Sequence, residues 1–169
     1  MNKRRLRPSY YQLRAKRVSL ALLNEAPGFS LPKRSFFLRC IYEAMQRNYS
    51  YAQIGLLLCS KEVASRYNFH YRKKNYATNV LSFPLNETQG RTCLLGDLIL
   101  CPEVIEAEAM EQNKDVLAHY AHLVVHGILH LLGYDHVEPI QACAMEAREI
   151  DILQAMGYSN PYEVVQRAE

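Results

Sequence analysis

The sequence predicts a small single α+β domain, a mixed sheet of about four strands packed with helices. Three observations predict it. Apolar runs of strand length recur between helical periods, prolines close two of those runs, and the longest apolar segment carries histidines at helical spacing. A chain of 169 residues, 49% hydrophobic and 22% charged, is long enough for a real core and short enough for one domain.

The first element is Val18 to Leu23, an apolar run of strand length. Ser30 before Leu31-Pro32 reads as a helix N-cap with proline in the first turn, and the helix is expected to reach about Asn48. Within it Phe36, Phe37, Cys40, Ile41, Ala44 and Met45 recur at three- and four-residue steps, as one buried face requires. Residues 51–59 read as a second strand and Lys61 to Tyr67 as a short helix. Val80 to Phe83 stops at Pro84 and Leu94 to Cys101 at Pro102, so each is a strand with a stop signal. Helices are expected over Glu103 to Gln112, Val116 to Leu132 and about Ile140 to Met156. Asn86 to Thr92, rich in Asn, Thr, Gly and Gln, is the expected loop of notable length.

Composition narrows the class. Apolar stretches are broken before the eighteen or so residues that a membrane span requires, and no apolar signal core follows the basic N-terminus. A soluble, cytoplasmic protein with no membrane partner is expected. Cys40, Cys59, Cys93, Cys101 and Cys143 form no C-x-x-C pair and read as small core residues in a reducing compartment. Net charge is +3, but residues 1–96 hold 17 Lys and Arg against 4 Asp and Glu, while residues 97–169 hold 3 against 13. A basic half suits a polyanionic partner, because cations gain affinity for phosphates by releasing counterions. Residues 1–17, with seven basic and no acidic side chains, read as a basic extension, either a solubilising tail or a phosphate-binding arm.

The chemistry is concentrated in HGILHLLGYDH, residues 126–136. His126 and His130 are four apart, so on a helix their imidazoles share a face and can share a metal. Gly133 can take the left-handed conformation that ends a helix, letting the chain turn and bring His136 to the same ion. Three imidazoles with an open fourth position are the arrangement of a catalytic zinc, one per chain. The surrounding Leu123, Val124, Val125, Ile128, Leu129, Leu131 and Leu132 argue for a buried helix, in which unpartnered imidazoles are costly. His119 and His122 fall near the same stripe and are expected to pack or to support the ligands. Asp135, beside a ligand, is expected to orient an imidazole, and Asp97 to be a structural hydrogen-bonding residue.

The spacing H-x-x-x-H-x-x-G-x-x-H is shared with metzincin zinc proteases, which carry Glu after the first His as general base. Here that residue is Gly127, which cannot move a proton. A zinc peptidase using another base stays open, as does a noncatalytic protein with a structural zinc.

A closer resemblance rests on three motifs. HGILHLLGYDH, YRKKNYATNVLSFP (residues 71–84) and Leu95-Gly96-Asp97, in this order, resemble the YbeY family of bacterial endoribonucleases from about Val18 to Tyr162. The resemblance implies a zinc-dependent, single-strand-specific endoribonuclease domain over residues 18–169. It implies maturation of the 3′ end of small-subunit (16S) ribosomal RNA and ribosome quality control, with RNA, the small subunit and its assembly factors as partners. Carried over by motif position, His126, His130 and His136 are the metal ligands, and Arg72 and His126 carry the catalysis. Asn79 stands where many members have Asp and is read as holding a turn. From the residues themselves, Arg66, Arg72, Lys73 and Lys74 interleave with Tyr67, Phe69, His70, Tyr71 and Tyr76, a mix suited to phosphate contact and base stacking, or to an ordinary solvated turn.

Overall fold

A computed structural model of the chain describes residues 18–45, 49–85 and 93–163. The basic extension (residues 1–17) and the loop expected over 86–92 lie outside the described residues. Four strands form one mixed sheet: β1 (Val18–Glu25), β2 (Tyr51–Cys59), β3 (Val80–Pro84) and β4 (Cys93–Leu100), in spatial order β1-β2-β4-β3. β1–β2 and β2–β4 are parallel and β3–β4 is antiparallel. Five helices accompany the sheet among the described residues: α1 (Arg34–Ala44), α2 (Lys61–Arg72), α3 (Pro102–Glu111), α4 (Val116–Leu131) and α5 (Pro139–Ala155). The expected α+β class and mixed four-stranded sheet are what the chain adopts.

Strand alternation assigns the two faces of the sheet. Leu20, Ile54, Leu56, Leu94, Leu98 and Leu100 point into the main core, which α1, α4 and α5 complete. Cys59, Leu81, Ile99 and Cys101 face the other way into a smaller core with Ala64, and Val63 and Tyr67 of α2 pack against it. α2 and α4 therefore cover opposite faces of the sheet.

Three helix boundaries differ from expectation. Helix α1 starts at Arg34 with Lys33 in the cap position and no capping side chain, so Ser30 is not the N-cap. Leu31 precedes a proline, which disfavours helical dihedrals, and Phe29 and Leu31 reach back to pack against the core before the helix begins. The helix ends at Ala44 because Met45, itself buried, turns extended (φ −65, ψ 131). Helix α2 runs past Tyr67 to Arg72 and stops at Lys73 in the left-handed region (φ 59), where the Asn68 amide donates to the Tyr76 carbonyl at 2.8 Å.

Helix α4 is the centre of the molecule, touching α1, α3, α5, β3 and β4. Its approach to the sheet needs small residues. A Cβ on Gly127 would meet Leu98 Cδ2 at 2.8 Å and Ser82 Oγ at 3.2 Å, and one on Gly96 would meet both Leu131 methyls at 2.7 Å. Gly127 therefore faces β3 and β4. The Gly127→Ala protein should lose about 1–2 kcal/mol of unfolding free energy, because overpacking outweighs alanine's helix preference of about 1 kcal/mol. Urea midpoints measure it, and an unchanged midpoint would mean that Leu98 has room to retreat.

Candidate metal centre

The C-terminal end of α4 builds the site through its own cap. Gly133 adopts φ 93, its N–H donates to the His130 carbonyl at 3.0 Å, and the Tyr134 N–H donates to the Leu129 carbonyl at 3.0 Å. This pair of bonds is the Schellman motif, which a left-handed glycine makes at little steric cost. The motif aims the Tyr134 carbonyl back at the helix, where it accepts from His130 Nδ1 at 3.0 Å. The chain then doubles back and His136 joins the two helical histidines. Ligand nitrogens of His126, His130 and His136 lie within 4.8 Å of one another, with ring centroids 4.6, 5.0 and 5.5 Å apart.

Tautomers follow from the partners. A carbonyl only accepts, so His130 carries its proton on Nδ1. His126 Nδ1 sits 2.6 Å from Glu149 Oε1, an acceptor, and is protonated for the same reason. Both Nε2 atoms are left pointing at each other across 3.0 Å. Burial, then His126 and His136, lower the His130 pKa from 6.5 to about 4, so that ring is neutral at pH 7. Nitrogen lone pairs held this close repel unless a proton or a metal ion lies between them. Tetrahedral zinc with bonds of about 2.0–2.1 Å sets its ligand nitrogens about 3.3 Å apart, so the donor set fits a zinc-like ion.

Glu149 is the residue the sequence reading missed. It is fully buried on α5 and accepts at both oxygens: from His126 Nδ1 at Oε1, and from His122 Nε2 (3.1 Å) and the Tyr162 hydroxyl at Oε2. Burial pushes its pKa up, but hydrogen bonds from His122, His126 and Tyr162 outweigh it and hold the carboxyl at about 2. Burial and the Glu149 charge push the Tyr162 phenol up, so Tyr162 stays a donor. A signal was present, since Glu149 interrupts the apolar stripe Met145, Ile152, Leu153, Met156 of α5. Tyr162 carried no such signal.

The remaining histidines are partnered outside the triad. His122 bonds to Glu149, and His119 Nε2 lies 2.8 Å from Glu108 Oε2. The Asn79 amide donates to the same carboxylate at 3.0 Å while its Oδ1 accepts from the Val80 N–H at 2.6 Å, which fixes the entry to β3. Asp135 does not orient an imidazole. Its Oδ1 accepts from the His136 N–H at 2.7 Å and shapes the turn instead. The side chain of Asp97 lies against Gly55, where an added Cβ would sit 2.3 Å from Oδ1. Arg72 is exposed on the last turn of α2, and among the described residues no hydrogen bond or ion pair links it to the triad. A cavity of ≈ 380 Å³ opens beside His126, lined also by Asn79, Glu108, Lys114, His122 and Tyr162.

A family model described as Endoribonuclease YbeY matches residues 34–157. A protein of that name from Neisseria gonorrhoeae is 44% identical over 165 residues, covering 95% of this chain and 96% of that one. The Laribacter hongkongensis protein of that name is 49% identical over 137 residues, covering 79% of this chain and 82% of its own length. The solution structure of a Thermotoga maritima protein overlays with a TM-score of 0.52 at 23% identity, covering 86% of this chain and 99% of the other, and shares the fold.

Glu149→Gln keeps the shape but removes the charge that would face a bound cation through His126. It should weaken zinc affinity about 10- to 100-fold in competition with a chromophoric chelator, a typical cost of losing the partner of a metal-bound imidazole. A second expectation concerns pH. The folded-state pKa of His130 is depressed, so the metal-free protein is fully stable against this group above about 6.5. As pH falls from 6.5 towards about 4, the unfolded chain takes up a proton that the folded site refuses, and stability drops. Urea midpoints across that range should fall more steeply for the parent than for His130→Gln.

Proposed function

The chain belongs to the YbeY endoribonuclease family, and from that premise we propose that it is a zinc-dependent endoribonuclease that cuts single-stranded RNA. The proposed substrate is small-subunit ribosomal RNA at its 3′ end, met on the small ribosomal subunit with its assembly factors, in maturation and quality control. The observation that carries the metal dependence is the pair of Nε2 lone pairs held 3.0 Å apart by the partners of the two Nδ1 atoms. His126, His130 and His136 would hold one zinc per chain.

Zinc in such a site supplies a Lewis acid that polarises phosphoryl oxygens and lowers the pKa of water to about 7. The chain's own residues do the rest. Glu149 and the Tyr134 carbonyl hold the His126 and His130 rings in the tautomer that presents Nε2. His136, exposed at the rim, leaves the ligand set open to solvent on one side. Arg72 is proposed as the phosphate clamp. Its guanidinium offers two parallel donors to a phosphate, and residues 73–79 run from it to Asn79, which lines the cavity beside His126. No described helix is long and apolar enough to cross a membrane, and a cytoplasmic location is part of the proposal. Residues 1–17 are proposed as an extension outside the catalytic domain of residues 18–169.

The peptidase alternative loses its simplest route. Position 127, where the metzincin base stands, packs against Leu98 and Ser82, so a glutamate there would be driven into the sheet. A purely structural metal is disfavoured by the three-ligand set with an exposed third histidine.

Single-turnover cleavage of a short single-stranded RNA, normalised to bound zinc, tests the reading. Arg72→Ala should retain zinc and fold while cleavage slows about 100- to 1000-fold, and Arg72→Lys should recover part of it. His130→Ala should lose most of the zinc together with activity. Hydrolysis of a denatured protein substrate in place of RNA would move the assignment to the peptidase reading.

A further inference from the structure

The proposed chemistry uses Arg72 but not the surface around it. From Arg66 to Asn79 the chain carries no acidic residue, and Arg66, His70, Arg72, Lys73 and Lys74 are all exposed. Three aromatic side chains in the same stretch are more than half exposed: Phe69 at 55%, Tyr71 at 58% and Tyr76 at 54%. α2 spends its packing on Ala64 and Asn68, which are buried, and turns Phe69 and Tyr71 outward, while Tyr76 follows in the segment after the helix. Tyr71 is nevertheless held firmly. Its ring lies parallel to Tyr67 (6.3 Å, 6°), with His70 edge-on at 4.8 Å and Phe83 of β3 at 4.7 Å. Tyr67, Tyr71, Arg66, His70, Val63 and one carboxylate, Glu25, line a groove of ≈ 510 Å³.

We propose that the basic, aromatic face of α2 and the segment 73–79 form a second binding surface, which starts beside Arg72 where Tyr71 meets Phe83 of β3 and leads away from the metal centre around the β3 edge, and that it holds single-stranded RNA extending from the cavity. The choice of RNA as the occupant rests on the ribonuclease reading. The chemistry favours an unpaired strand. Free ring faces stack on bases only when those bases are not already stacked in a duplex, and guanidinium and ammonium groups meet the phosphates between them. An acidic protein would need the cations but not the open rings. The surface is also continuous with the cavity. Asn68 ties Tyr76 to α2 at 2.8 Å, and Asn79 bonds to Glu108 at 3.0 Å in the cavity wall beside His119 and His126.

Fluorescence anisotropy with a labelled single-stranded RNA of about 16 nucleotides, a length within the span of single-strand binding domains, tests it on the full metal-loaded chain. Phe69→Ala with Tyr76→Ala should weaken binding about 5- to 100-fold, leave binding of the same sequence as a duplex unchanged, and preserve the slope of affinity against salt. Arg66→Gln with Lys74→Gln, which touches no packed ring, should instead flatten that slope by about 1.4 for two lost phosphate contacts to a single strand. Single-strand affinity unchanged in the ring variant overturns the proposal and assigns the face to a protein partner. Ring-dependent binding by a chain that cleaves no RNA keeps this surface and removes the ribonuclease reading. Cleavage with ring-independent binding does the reverse.

Discussion

Four imidazoles lie along one stripe of a helix that is buried on nearly every side, and the need to satisfy them organises the molecule. His119, His122, His126 and His130 each present polar nitrogens to an interior in which an unmet hydrogen bond is expensive. Every element packed around α4 at that stripe supplies an answer. Glu108 of α3 meets His119, Glu149 of α5 meets His122 and His126, and the turn after the helix meets His130 with a main-chain carbonyl. Among the described residues these partners leave over the buried Nδ1 atoms of His119 and His122, and one lone pair on each of His126 and His130 that face each other where His136 joins them, in a group able to hold a metal ion.

Glu149 is the keystone of that arrangement. A buried carboxylate without partners would take up a proton. Three donors keep this one ionised, and its charge then sits one imidazole away from where the histidine triad could hold a cation. The third donor comes from Tyr162, beyond α5 and beyond the residues that the family model covers. The last described segment is fastened there a second time, by Lys114 Nζ donating to the Pro161 carbonyl at 2.6 Å. The C-terminal stretch is thus a wall of the cavity and a support of the ligand set.

Gly127 shows how closely the helix that carries the histidines approaches the sheet. The spacing of the histidines is the metzincin spacing, but the helix carrying them lies so close to the sheet that the residue after the first ligand has Leu98 and Ser82 as neighbours. Small residues at Gly127 and Gly96 permit that approach, and the approach removes the space in which a protease base would stand. The sheet between them separates two cores, leaving the metal centre on one face and the aromatic, basic helix α2 on the other. The connection is the segment 73–79, which starts at the end of α2 and finishes in the cavity wall.

How much of this was legible depends on the range of the interaction involved. The element order, the grouping of the three histidines and the helix stop at Gly133 are short-range facts. Helical spacing puts His126 and His130 on one face, and a left-handed glycine turns the chain towards His136, so the sequence determined them alone. Helix α1 starts at Arg34 and not after Ser30, because capping preference is weak beside the pull of Phe29 and Leu31 into the core. Asp135 drew attention by adjacency, yet its carboxylate was taken by the nearest main-chain N–H. Glu149 lies 23 residues from His126 and Tyr162 lies 40 from His122, and neither pairing is written in any local pattern. The sheet face on which Arg72 stands was equally hidden, since a helix following a strand can cover either side. Those choices belonged to the tertiary structure, because buried partners are selected by which surfaces meet when α4 is enclosed, and only packing brings distant residues within the 3 Å or so that a hydrogen bond requires.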